Sequence, residues 1–187
     1  LMFAENPDGA ELKLTVDADL QYFLETELKQ ADEEFEAESA MAVVLDAKTS
    51  AVLAMGNAPT FDLNEAFKFK SNERRNRIVT DVFEPGSTIK TFVIAAALRE
   101  KIIQPNTKYN TEGGRFQVGD RIIKEAEAKE KWQQLSVSEI LAFSSNVGAT
   151  KIAFDLGALQ YEKALKDFGF GQKTGIDLPG DSKGLMH

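Results

Sequence analysis

Between residues 87 and 100 the sequence runs Ser-Thr-Ile-Lys-Thr-Phe-Val-Ile-Ala-Ala-Ala-Leu-Arg-Glu, and from Phe92 to Leu98 no polar residue interrupts it. A helix that is apolar almost all round has to be surrounded by protein on every side. The chain must therefore build its fold around this segment as a central helix. The run is far short of the roughly 18 apolar residues that span a bilayer, and the N-terminus lacks the basic-then-apolar pattern of a signal sequence, so the chain as given reads as soluble. Its length of 187 residues is enough for one ordinary domain with a hydrophobic core.

The rest of the chain supplies what could pack on that helix. Leu20, Leu24, Leu28, Ala31 and Phe35 recur at helical spacing after Asp17, with acidic residues on the other face, which predicts a long amphipathic helix starting at about Asp17. Residues 41 to 45 and 51 to 55 are short apolar, β-rich runs on either side of the turn sequence Asp46-Ala47-Lys48-Thr49-Ser50, a pattern that predicts a hairpin buried on both faces. Residues 57 to 76 read as irregular connection with a short helix, and residues 106 to 119 as loop with short strands. Residues 136 to 143, 146 to 156 and 159 to 168 read as three helices. This order predicts an α+β fold, with helices packed on an antiparallel sheet. Two strands make a marginal sheet in water, so something that should complete it is expected to be missing from this sequence.

Composition removes several kinds of chemistry. Thirty acidic residues against 22 basic ones give a formal charge of -8, which repels nucleic acid and anionic lipid head groups. There is no cysteine, and the single histidine is the last residue, His187. No Ser-His-Asp arrangement, thiolate nucleophile or histidine-based metal site can be assembled, and no cofactor or metal is expected. A serine nucleophile would need another base.

Ser87-Thr88-Ile89-Lys90 offers one. A spacing of three on a helix puts the lysine amine and the serine hydroxyl on one face. Burial and the positive end of the helix dipole both favour the neutral amine that could accept the serine proton. Glu84-Pro85-Gly86 sets a tight turn into the helix and leaves the side of the serine open to an incoming carbonyl. First-turn amides point to where an oxyanion would form. The same serine, read alone, is what a helix start usually carries as an N-cap. Ser144-Ser145-Asn146 lies between two predicted helices, where its side chains either project into a cleft or cap the helix that follows.

Taken together these motifs resemble those of the penicillin-binding proteins, in which Ser-x-x-Lys is paired with a Ser-x-Asn element and a Lys-Thr-Gly triplet. The likeness also includes Leu14-Thr15-Val16-Asp17 with Leu20-Gln21, residues 74 to 90 (RRNRIVTDVFEPGSTIK), 143 to 148 (FSSNVG) and 168 to 180 (FGFGQKTGIDLPG), in the family's order along nearly the whole chain. Residues 76 to 86 look most like class B enzymes of the septal, cell-division type. The resemblance implies a transpeptidase fold like that of these proteins and of serine β-lactamases. Residues 1 to 187 would form a single partial domain, truncated before its C-terminal strands and third motif. It implies a D,D-transpeptidase in which Ser87 is the nucleophile, Lys90 its base, Ser144 a proton relay that also holds Lys90, and Asn146 a binder of the substrate's peptide amide. The partners so implied are a peptidoglycan stem peptide ending in D-Ala-D-Ala, an amine acceptor, β-lactam antibiotics and, for the full-length membrane-anchored protein, division-complex proteins at the extracytoplasmic face of the membrane. The fragment alone is expected to have little activity and to self-associate. The alternatives are a β-lactamase or β-lactam-sensor domain, and a non-catalytic structural or binding fragment.

Two stretches depart from the family pattern. Lys173-Thr174-Gly175 mimics the third motif, but Ile176-Asp177-Leu178-Pro179 after it reads as turn and loop, so Lys173 is expected to be exposed and away from Ser87. Around residues 122 to 125, where the family often has an acidic residue followed by histidine, this chain has Glu125 and no histidine.

Overall fold

The structure, a computed structural model, describes residues 11–127, 129 and 131–186. His187, the only histidine, lies outside the described residues. The chain forms two compact units, the described residues up to Asp81 with Leu178–Gly180, and Val82–Asp177 with residues 181–186.

In the first unit, helix α1 (Ala18–Phe35) begins where the sequence places it, with Asp17 as the N-cap accepting bonds from the amides of Asp19 and Leu20. Strands β1 (Ala40–Leu45) and β2 (Val52–Ala58) pair antiparallel, Ala40 opposite Ala58. The segment before α1 is sewn to β2: Thr15 Oγ1 donates to Val52 O, Asp17 N–H donates to Leu53 O at 2.8 Å, and the Gln21 amide bonds both N–H and C=O of Met55 at 2.9 Å. Leu24 and Leu28 then pack on Ala54 and Ala58. Gly56 permits this approach, because a Cβ there would meet Leu24 Cδ2 at 2.8 Å.

The expectation of a hairpin buried on both faces is corrected here. Ala40, Ala42 and Val44 pack with the α1 cluster, whereas Met41, Val43 and Leu45 are 37%, 43% and 51% exposed. Successive strand side chains point to opposite faces, and α1 packs on only one of them. A 3-10 helix (Leu63–Lys68), capped by Asp62, falls in the stretch read as irregular connection with a short helix, and a short helix α2 (Arg77–Thr80), capped by Asn76, follows it.

The second unit is built around helix α3 (Ile89–Arg99), preceded by a single 3-10 turn, Gly86–Thr88. Val93, Ile94 and Ala97 of α3 join Ile103, Leu135, Val137, Ile140, Ala149 and Ile152 in one buried cluster. Ala96 packs with Leu156 and Ala164 in a second. Phe92 meets the rings of Phe168 and Phe170 edge-on at 5.0 and 4.9 Å. The central helix is buried over most of its circumference, while Thr91 and Leu98, seven positions apart on one face, are exposed.

Helices α4 (Val137–Ala142), α5 (Asn146–Leu156) and α6 (Ala158–Asp167) lie within a residue of the ranges read from the sequence. Around them run β3 (Lys108–Asn110), β4 (Arg115–Val118), β5 (Arg121–Lys124) and β6 (Gln134–Ser136), joined as the antiparallel pairs β3–β6 and β4–β5. Helices with antiparallel strands make this the α+β architecture expected.

Candidate active site

Four of the side chains singled out in the sequence come together in the second unit. Pro85 and Gly86 turn the chain into α3, with Gly86 at φ +58°, a left-handed conformation that favours glycine. The caps of the 3-10 turn and of α3 are Pro85 and Thr88, neither through a side-chain bond to the helix amides, so Ser87 is not an N-cap. Its Oγ instead lies 3.1 Å from Nζ of Lys90, one turn on.

Lys90 is buried, at 8% exposure. Its Nζ donates toward the Ser144 carbonyl at 2.5 Å, the Ser144 hydroxyl at 2.9 Å and Asn146 Oδ1 at 2.6 Å. The two carbonyl-type oxygens can only accept. They draw N–H bonds of the lysine to themselves and leave its remaining tetrahedral position to the hydroxyls of Ser87 and Ser144. In a neutral amine the lone pair takes that position.

The turn between α4 and α5 divides the capping and the projecting roles between neighbouring serines. Ser145, 1% exposed, caps α5 by accepting the Gly148 amide at 2.9 Å. Ser144 adopts φ +55°, uncommon for a residue other than glycine, and so presents both its carbonyl and its hydroxyl to Lys90. The preceding Phe143 stacks on Trp132 at 5.3 Å with the rings 13° from parallel, which anchors the entry to the turn.

Glu125 also belongs to this cluster, though the sequence did not assign it a place there. It follows β5, is 8% exposed, and accepts the Ser145 hydroxyl at 2.7 Å and the Asn146 amide at 2.6 Å. The signal available was the hairpin turn Gly119-Asp120 between two β-rich runs, which places residue 125 at the end of a strand. Lys173 is exposed and outside any strand. Thr174 and Gly175 are bound to the Asp181 carboxylate, with the Gly175 amide at 3.0 Å, so the Lys-Thr-Gly triplet forms a surface turn.

Comparison with known proteins converges on one family. Residues 40–187 match the penicillin binding protein transpeptidase domain. The chain is 35% identical over 179 residues to the probable peptidoglycan D,D-transpeptidase PenA of Neisseria gonorrhoeae, covering 96% of this chain and 30% of that protein. It is 34% identical over 174 residues to the peptidoglycan D,D-transpeptidase FtsI of Escherichia coli K12, covering 93% of this chain and 29% of that one. Among solved structures, penicillin binding protein 3 of Mycobacterium tuberculosis superposes with a TM-score of 0.86 at 33% identity, over 93% of this chain and 39% of that one. The same protein has been solved in complex with ampicillin. The chain spans about 30% of the length of the curated relatives it matches.

Proposed function

This chain belongs to the penicillin binding protein transpeptidase family, with relatives of the FtsI and PenA type as the class B resemblance leads one to expect, and from that premise we propose that it carries the acylation machinery of a serine D,D-transpeptidase. The observation that supports the reading most directly is the convergence on Lys90 Nζ of Ser87 Oγ, Ser144 Oγ and Asn146 Oδ1 within 3.1 Å.

In this reading Lys90 takes the proton of Ser87 as its oxygen attacks the carbonyl of the D-Ala-D-Ala bond. The Ser87 amide supplies one donor to the oxyanion. As the tetrahedral intermediate collapses, the C–N bond breaks and a proton passes by way of the Ser144 hydroxyl to the departing D-alanine amine. The acyl-enzyme on Ser87 is then resolved by an amine of a neighbouring peptidoglycan strand, which gives up a proton and frees the serine. Asn146 Oδ1 keeps a second lone pair beside the one turned to Lys90, and with it can accept the N–H of the substrate peptide. A β-lactam presents a strained amide to the same serine and leaves it acylated. This chemistry belongs at the extracytoplasmic face of the membrane, where stem peptides are crosslinked. Among the described residues no helix is long and apolar enough to cross a membrane.

The test is to incubate the full-length protein with a fluorescent penicillin and map the adduct by mass spectrometry. The expected result is one adduct, on Ser87, released slowly. An adduct on another serine overturns the assignment, and rapid release would favour a β-lactamase.

A further inference from the structure

The end of β5 holds the α4–α5 turn through three hydrogen bonds. The Glu125 carboxylate accepts the Ser145 hydroxyl at 2.7 Å on one oxygen and the Asn146 backbone amide at 2.6 Å on the other, and the Lys124 carbonyl accepts Nδ2 of Asn146 at 2.8 Å. The hairpin is itself continued past Lys124, since the Glu125 amide donates to Gly114 O at 3.1 Å. The strand end thus serves as a fixed frame against which the turn is set.

Each bond has a consequence at Lys90. With Nδ2 of Asn146 given to the Lys124 carbonyl, the amide oxygen is turned to Lys90, 2.6 Å away. With the Ser145 proton given to Glu125, the lone pairs of that oxygen remain for the Gly148 amide, and the first turn of α5 is capped. Ser144 is then pinned between a turn fixed at residues 145 and 146 and the stacked ring of Phe143. A buried carboxylate is costly unless it is hydrogen-bonded. Two donors from one turn, one to each oxygen, meet that requirement.

We propose that Glu125 is a positioning residue of the acylation site. It acts through Ser145 and the Asn146 amide to set the aim of Ser144 and Asn146 at Lys90. The inference rests on the acyl-transfer reading above.

The test measures acylation of the full-length protein by a fluorescent penicillin in stopped flow, separating the limiting rate from the drug's dissociation constant, with the thermal midpoint recorded for each variant. Glu125→Ala is expected to lower the limiting rate by about 10- to 100-fold, since misplacing a reacting group by about 1 Å costs on the order of 10²-fold. Glu125→Gln can still accept the Asn146 amide on its oxygen and donate its NH₂ to Ser145 Oγ, so it is expected to return within about threefold of wild type. A wild-type limiting rate in Glu125→Ala overturns the proposal. So does a Glu125→Gln protein as slow as Glu125→Ala, because charge and not position would then be what matters. If Glu125→Ala does not fold at the assay temperature, Glu125→Asp decides, having the same charge but one methylene less reach: a rate lowered about tenfold supports the proposal and a wild-type rate sinks it. A wild-type protein with no adduct on Ser87 would instead remove the acyl-transfer reading, and this assignment with it.

Discussion

Ser144 lies 54 positions beyond Lys90 in the chain, yet its carbonyl oxygen and its hydroxyl approach the Lys90 Nζ to 2.5 and 2.9 Å. Both groups reach one nitrogen because φ of Ser144 is +55°, which turns its main chain and its side chain to the same side. The lysine is thereby tied to two elements at once, α3 through its own backbone and the α4–α5 turn through Ser144 and Asn146.

Replacing Lys90 by alanine in the full-length protein is expected to lower the rate of penicillin acylation by about 10² to 10⁴, the usual contribution of a positioned general base. Circular dichroism should remain that of the folded protein, since the hydrophobic clusters around α3 do not include this side chain. Undiminished acylation would show that another group takes the Ser87 proton.

Gly148 offers a test of packing rather than chemistry. A Cβ at this position would stand 2.5 Å from Cγ1 and 2.7 Å from Cδ1 of Ile140, which is fully buried. Gly148→Ala gains about 1 kcal/mol of helix propensity, but forcing a methyl into a filled core costs about 1 to 3 kcal/mol. We expect net destabilisation, read as a lowered urea midpoint. A midpoint equal to or above wild type would mean that α4 and α5 can separate without penalty.

The start of α4 makes stability depend on acid. Ser136 caps the helix, its hydroxyl and amide donate to the Glu139 carboxylate at 2.7 and 2.8 Å, and these bonds hold the Glu139 carboxyl below its ordinary range. A carboxyl lowered in the folded state contributes stability above its unfolded value, and loses it as the pH falls through the folded value. Ser136→Ala should cost about 0.5 to 2 kcal/mol near neutrality and raise the Glu139 titration point, measured by carboxyl-carbon NMR. An unchanged titration would show that the capping box does not persist in solution.

Lys173→Ala should alter penicillin acylation by less than about threefold, because the side chain is exposed and its turn is held by Asp181, not by Lys173. A loss of acylation comparable to that of Lys90→Ala would make the triplet part of the site after all.

What was legible in the sequence follows from where the physics is local. Helix starts depend on a few adjacent residues, so Asp17 marked the start of α1, and the helices read from residues 136 and 146 begin within a residue of those positions as α4 and α5. The pairing of Ser87 with Lys90 is likewise local, one turn of helix. Strands β5 and β6, of four and three residues, are too short for a period of two to show, and their pairing is set by partners elsewhere in the chain. The open face of β1 was illegible for another reason, since apolar Met41, Val43 and Leu45 read the same whether or not a layer covers them. Which of Ser144 and Ser145 caps α5 turned on a single backbone dihedral, and the place of Glu125 on a contact 20 residues away.

The carbonyl that Ser144 offers to Lys90 belongs to the main chain, and this limits what evolution can change there. A substitution at residue 144 can delete or alter the hydroxyl, yet the peptide oxygen persists under the genetic code's whole repertoire. Glycine would even relieve the left-handed backbone. A substitution at residue 144 therefore changes the side chain that faces Lys90 while leaving the main-chain contact to its amine in place.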